Sequence, residues 1–200
     1  MAGIGLRKPF FAKYSYDEER GAVSYTGGGL LAKAVEFSAS IESSDDNGLY
    51  ADDMVAETDR SFAGGSISIT TDDLTAEASA AILGITAKSI QIGDGEKTVQ
   101  ELVYDDSMTD TFLGFGIIIP KRRGGVNSFR AVVFPKIQFG VPEDSAKTKA
   151  NSIEWQTPTI EGTILRSDAE GHPWKREVTV PDEATAIAYI KQCLGIGGAA

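Results

Sequence analysis

The chain of 200 residues carries 29 acidic and 19 basic side chains, a formal charge of -10, with one histidine and one cysteine. That balance disfavours wrapping on nucleic acid, because neutralisation of phosphates by Lys and Arg supplies most non-specific affinity. A lone Cys193 excludes an internal disulfide framework, a single histidine makes a conventional transition-metal centre untenable, and no apolar run approaches the ~18 residues that span a bilayer.

The expectation is one soluble domain over residues 1–200, made in a cytosol, since Met1–Phe11 lacks the basic-then-apolar order of a secretory signal. Lys8–Tyr16 and Ala22–Thr26 read as aromatic-rich strands around the turn Asp17–Gly21, and Gly27–Gly29 as a flexible turn without the Gly-Lys-Ser/Thr ending of a phosphate loop. Val35, Phe37, Ala39 and Ile41 alternate with Glu36, Ser38, Ser40 and Glu42, the pattern of a half-buried strand; Ile67 and Ile69 repeat it within Ser66–Thr70. Between them runs the excursion Ser43–Gly65, with Asp45, Asp46, Asp52, Asp53, Glu57 and Asp59 and no base before Arg60. A loop of this length with little core of its own is functional or disordered, and here it is expected to meet another protein chain.

A helix follows, with Thr71, Asp72 or Asp73 as its cap, Leu74, Ala78, Ala81 and Ile82 on one face, and Gly84 as its left-handed stop. Ser89–Ile92 and Val99–Tyr104 are short strands around Gly93-Asp94-Gly95. Phe112–Pro120 and Phe129–Val141 form a long hairpin whose tip, Lys121-Arg122-Arg123-Gly124-Gly125, makes with nearby Arg130 the concentrated positive patch of the chain. Pro120 and Pro135 place bulges or a sheet edge on these strands. Pro142–Asn151 is a polar loop, Ile153–Arg166 a strand pair or bent strand, and Trp155 a core or subunit-interface anchor. The last strand region starts at His172-Pro173-Trp174 and runs through Val180. Pro181-Asp182-Glu183 then opens a terminal helix with Ala184, Ile187, Ile190 and Leu194 at helical spacing, stopped at Gly195, after which the chain frays.

No arrangement of these residues points to chemistry. His172 stands directly before a proline, with no serine-nucleophile elbow in the chain. Cys193 beside Leu194 reads as a small buried hydrophobe rather than a reactive thiol. The carboxylates are too many for any two to be singled out as a glycosidase pair. Asp45-Asp46-Asn47-Gly48 lacks the spacing of a calcium-binding loop. Neither enzymatic activity nor a cofactor or metal is expected.

Taken in order, GLRKPFFAKY, GLLAKAVEFSASIES, NGLYADDMVAETD, FAGGSISITTDDLTAEASAAILG, LGFGIIIPKR, SIEWQTPTIEGTI and ATAIAYIKQCL resemble the major tail proteins of long-tailed phages over about Gly5–Leu194. The resemblance rests on collinearity, most strongly on NGLYADD with FAGG and the capped helix. It implies a mainly β (α+β) subunit, a β-sandwich or barrel-like tail-tube fold with a packed helix and a C-terminal helix, without the immunoglobulin-like domain that some relatives append. Six copies would close into a ring and rings would stack head to tail into the tail tube of a virion, assembled in the host cytoplasm. The partners implied are the chain itself and the tape measure, tail terminator and distal tail proteins. DNA would pass an acidic lumen without tight binding. The excursion 43–65 then corresponds to an arm reaching a neighbouring subunit. Its Leu49, Tyr50, Asp52, Asp53, Met54, Val55 and Phe62, with Lys121, Arg122 and Arg123 of the basic tip and Trp155, become the candidate intersubunit contacts; the apolar ones are expected to be buried only on assembly. Two other readings stay open: a monomeric β-sandwich binding module, carbohydrate- or adhesin-like, using Trp155, Trp174 and the tyrosines as a platform, and a carboxylate hydrolase.

Overall fold

A computed structural model describes residues 2–44, 48–51, 54–58, 61–93, 97–106, 108–143, 148 and 157–197. Along these, β1 (Ala2–Gly3) is followed by the hairpin β2 (Arg7–Asp17) and β3 (Ala22–Leu30). The Asp17 carboxylate closes this turn by accepting the N–H groups of Glu19 and Arg20 at 3.0 and 3.1 Å. β4 (Ala34–Ser43) runs out toward a small hairpin, β5 (Gly48–Ala51) and β6 (Met54–Thr58), and β7 (Phe62–Thr71) returns. After helix α1 (Ala76–Leu83) come a second small hairpin, β8 (Thr86–Ile92) and β9 (Lys97–Val103), then the long hairpin β10 (Leu113–Arg123) and β11 (Val126–Phe139). β12 (Thr159–Leu165), β13 (Arg176–Val180) and helix α2 (Glu183–Cys193) complete the fold.

Among the described residues the molecule is mainly β with two helices. Its main sheet runs β3-β2-β10-β11-β12-β7-β4, every pairing antiparallel, with β1 added to β10 beyond the end of β2 and β13 sharing one edge of β11 with β12. The sheet curls. Phe37 on β4 stacks on Phe115 of β10, centroids 6.1 Å apart, and lies 6.3 Å from Phe134 of β11, although β4 is the terminal strand on the far side of β12 and β7. The hollow of this curl holds the larger core: Ile67, Ile69, Phe115, Ile117, Phe134, Ile137, Ile160 and Ile164, with Ile82 and Leu83 of α1 against them. On the opposite face Phe10, Ile118, Ala131 and Val133 are covered by Ala186, Ile190 and Leu194 of α2. The central strands are thus buried on both sides, which is why Leu113–Ile119 reads as an unbroken apolar run rather than an alternation. Close seating of α2 requires glycine: a Cβ on Gly116 would stand 2.5 Å from Cγ2 of Ile190.

Both prolines sit where a missing N–H costs no ladder bond. Pro135 lies opposite the bulge between Leu113 and Phe115, and where the outer edge of β11 passes from β13 to β12. The Pro120 carbonyl accepts the N–H of Ile4 at 2.8 Å, so its ring nitrogen faces that same side, past the end of the β2 ladder at Ile118.

The helix boundaries refine the sequence reading. The cap of α1 is Thr75, whose side chain accepts the Ala78 N–H at 3.2 Å, and not one of Thr71, Asp72 or Asp73. Thr71 closes β7, and Asp72 instead accepts the Lys33 N–H at 3.0 Å while donating its own N–H to the Lys33 carbonyl at 2.9 Å, which ties the corner to the start of β4. Leu74 precedes the helix yet packs on the larger core. Gly84 is left-handed, φ 66°, as expected, and Asp182 caps α2 through the Thr185 N–H and hydroxyl, both at 2.8 Å. β13 begins only at Arg176: His172, at φ 45°, belongs to a turn closed by its N–H on the Ala169 carbonyl at 2.9 Å. Among the described residues no helix is long and apolar enough to cross a membrane.

Candidate assembly surface

Among the described residues the sheet ends in two open edges, β3 pairing with β2 alone and β4 with β7 alone. Of the four apolar residues that alternate along β4, Phe37 alone packs inward; the bulge between Ala34 and Glu36 leaves Val35 55% exposed, and Ile41, farther along the strand, is 38% exposed. The expected half-buried strand is therefore largely open, since among the described residues no second strand pairs with its free side. Its partner follows the sequence, with Ile67 and Ile69 fully buried. Leu30, at the end of β3, is 56% exposed.

The acidic excursion is structured where it leaves the sheet. The β4–β7 ladder continues through Ile41↔Gly65, Glu42↔Gly64 and Ser43↔Phe62, and the Ser44 N–H reaches the Ser61 carbonyl at 2.8 Å. Gly65 is required there, since a Cβ would stand 2.7 Å from the Ser40 carbonyl oxygen. Beyond this root, Leu49 and Tyr50 on β5 face Glu57 and Val55 on β6, and Ala51 faces Met54. The expected loop is thus a hairpin arm. Asp52, Asp53 and Trp155 lie outside the described residues.

Phe62 departs from the expectation that it is buried only on assembly. Its ring stacks on Trp174, centroids 4.8 Å apart and planes 9° from parallel, while Arg166 donates to its carbonyl and lies 5.7 Å from its ring. The root of the arm is clamped by the subunit itself. The segment that presents Trp174 is held in turn by a polar cluster. The Tyr14 hydroxyl donates to the Asp168 carboxylate at 2.8 Å and accepts the Asp168 N–H at 2.9 Å, and Lys136 reaches the same carboxylate at 2.6 Å across the faces of Tyr14 and Phe112. Lys136 holds the Asp168 carboxyl below its usual range, and burial pushes the Tyr14 hydroxyl up. His172 closes the segment, its Nδ1 3.0 Å from the Ser167 carbonyl oxygen.

Cys193 is half-buried against the α2 core, at the rim of a hollow it shares with Tyr25, Val133 and Arg176. The Tyr25 hydroxyl donates to the Pro135 carbonyl at 2.9 Å, and burial raises its pKa strongly. No group of three or more His, Cys, Asp or Glu side chains that could hold a metal ion occurs among the described residues.

The basic tip is a tight turn. Arg123 pairs with Val126 across Gly124 and Gly125, at φ 57° and 84°, the two-residue turn with both central residues left-handed that matches strand twist. Lys121 is half-exposed, Arg122 and Arg123 are exposed, and none makes an ion pair among the described residues. Arg130 does not join them. It bonds to Glu177 on β13, which Lys175 also meets at 2.9 Å, and these two cations push the Glu177 carboxyl down to about 2.

No protein-family model matches the chain, and no curated protein matches its sequence. Sequence reasoning missed the open edge of β3 and the role of Trp174 as the seat of the arm root. An edge strand and a central strand can share one alternation, so the first left no signal; the second joins residues more than a hundred positions apart.

Proposed function

We propose that this chain is the tube-forming subunit of a phage tail, a major tail protein that closes into six-membered rings and stacks them into the channel through which DNA passes. The observation that supports it best is the pair of long sheet edges, β3 and β4, which pair with no further strand among the described residues. Such edges invite pairing unless charge, bulges or covering segments blunt them. The β4 edge carries Glu36, Glu42 and two bulges, yet Val35 and Ile41 stay exposed on it, as does Leu30 on β3. Two different complementary edges on one chain make a heterologous contact, which closes into a ring when the rotation permits. In the virion such a subunit meets its own copies, the tape measure, the tail terminator and the distal tail protein.

For the binding-module reading, part of the platform is occupied: Trp174 stacks on Phe62, and Tyr14 and Tyr25 pack edge to face, centroids 5.7 Å apart. Negative-stain electron microscopy of the purified chain over a concentration series tests the proposal. Rings or tubes that grow with concentration are expected; a chain that stays monomeric at millimolar concentration, by light scattering, overturns it.

A further inference from the structure

We propose that the hollow bounded by β3, the start of β13 and the end of α2 is a binding site for a small carboxylic acid with an apolar body, its carboxylate held by Arg176; this goes beyond the tube-subunit reading and does not depend on it. The hollow measures about 430 Å³, toward the lower end of the ~300–1,000 Å³ of small-molecule sites. Its walls are held in place by the fold itself. Tyr25 lies across β10 because residue 114 is glycine: a Cβ there would stand 2.6 Å from Cε1 of the ring, whose hydroxyl reaches on to the Pro135 carbonyl at 2.9 Å. α2 stops at the rim, where Gly195 is left-handed, φ 59°, and the Ile196 N–H turns back to the Lys191 carbonyl at 2.8 Å. Ser167 and Ala169 form a further wall, fixed by Asp168 between them through its bonds to Lys136 and Tyr14.

The lining defines what fits. Val23, Val133, Pro135 and Tyr25 offer apolar contact, and Arg176 is the one ionised side chain among the lining residues. Burial raises the Tyr25 pKa strongly, so its hydroxyl is neutral at pH 7 and adds no negative charge. Two carboxylates adjoin the lining in sequence, and both are engaged elsewhere: Asp168 by Lys136 and Tyr14, and Glu177 by Arg130 and Lys175. Neighbours along a strand point to opposite faces, which turns Glu177 away from the side that Arg176 takes. Arg176 itself makes no ion pair among the described residues. Other surface cations share that property; what sets Arg176 apart is its place on the wall of an otherwise apolar hollow. A planar guanidinium there meets a carboxylate through two parallel N–H···O bonds, while the apolar wall takes the body of the acid. The net charge of -10 does not forbid such a ligand, because charges beyond the ~8–10 Å screening length at physiological salt count for little against a guanidinium in contact.

The single thiol of the chain supplies the test. Cys193 lines the hollow, so an occupant shields it from alkylation by iodoacetamide in the full chain, kept dilute enough to stay unassembled. Phenylacetate is the probe, and phenylacetamide, alike in shape but uncharged, is its control. The acid is expected to protect the thiol at about tenfold lower concentration than the amide, the difference that charge-assisted hydrogen bonds to Arg176 make. Arg176→Gln, checked for folding by circular dichroism, should bring the acid down to the level of the amide, and Arg176→Lys should keep part of the difference. Thermal melts read the same site without the thiol: the acid should raise Tm in the wild type and in Cys193→Ser, and leave Arg176→Gln unmoved. If Arg176→Gln misfolds, the comparison of acid with amide on the wild type still decides. Equal protection by acid and amide, protection that survives Arg176→Gln, or no protection by either up to the limit of solubility each overturns the inference. None of these outcomes bears on tube formation, which the electron microscopy tests separately.

Discussion

Phe62 lies flat on Trp174, 4.8 Å between centroids, and so fixes the arm at its root to a segment on the far side of β12. Trp174→Ala should cost about 2 kcal/mol, below the ~3–5 kcal/mol of a fully buried aromatic because both rings are half-buried. For a chain of this size that is a fall of roughly 4–8 °C in Tm. Assembly should suffer more than folding, since a root left unclamped no longer aims the arm; Trp174→Phe should restore most of both. Thermal melts followed by circular dichroism, beside tube counts in micrographs, separate the two effects.

The seat of α2 offers a sharper packing test. Gly116→Ala would put a Cβ 2.5 Å from Ile190 Cγ2, and the helix must shift, at a cost of about 1–3 kcal/mol. Ile190→Val in the same chain should relieve part of it, a non-additivity that urea denaturation measures. Gly124→Ala, at φ 57° with open space around it, should cost about 1 kcal/mol through backbone strain alone, and no neighbouring truncation should rescue it.

What was legible in the sequence is what local chemistry dictates. The long hairpin with its Gly-Gly tip, the opening of the terminal helix at Pro181-Asp182-Glu183, the stop at Gly84 and the special placing of Pro120 and Pro135 all rest on residues whose backbone preferences act within a few positions. What local pattern cannot carry is pairing at a distance. Val35 and Ile69 belong to equally good alternations, yet a bulge beside Val35 on the outer strand β4 leaves it exposed, whereas Ile69 on β7, between β12 and β4, is buried in the core. Arg130 looked like part of the tip by sequence position, and β13, arriving some 47 residues later, removes it. Phe62 looked like a free arm residue until Trp174 covered it. Of the candidate contacts, Arg122 and Arg123 are exposed and Lys121 half-exposed near the hairpin tip, whereas Leu49, Tyr50, Met54 and Val55 are placed only by strand register.

Acid should destabilise the fold through Glu177. Its carboxyl is held down to about 2 by hydrogen bonds from Arg130 and Lys175, against an ordinary value of 4.5. A folded-state pKa below the unfolded one gives stability that is complete above about 4.5 and is lost as pH falls toward 2. Asp168, lowered first by Lys136, adds to the trend with the same sign. Glu177 is nearly half exposed, so salt should weaken its share. Glu177→Gln should lower stability at pH 7 and flatten its decline between pH 5 and pH 2, read from urea midpoints across that range.

The arm itself gives the most direct separation of folding from assembly. The β4–β7 ladder is complete as far as Ser44 and Ser61 without help from β5 and β6, and the Phe62–Trp174 stack closes the root beneath them. Replacing residues 48–58 with a short Gly/Ser linker should therefore leave the fold close to wild type, since loop-closure entropy changes by only about 0.6 kcal/mol for each doubling of length. The shortened chain should melt within a few degrees of the parent and keep its far-ultraviolet spectrum, yet form no tubes at concentrations where the parent does. Loss of the fold would mean that the arm belongs to the core of the subunit. Normal tubes from the shortened chain would remove the arm from assembly altogether, and the open edges of β3 and β4 would then have to hold the ring unaided.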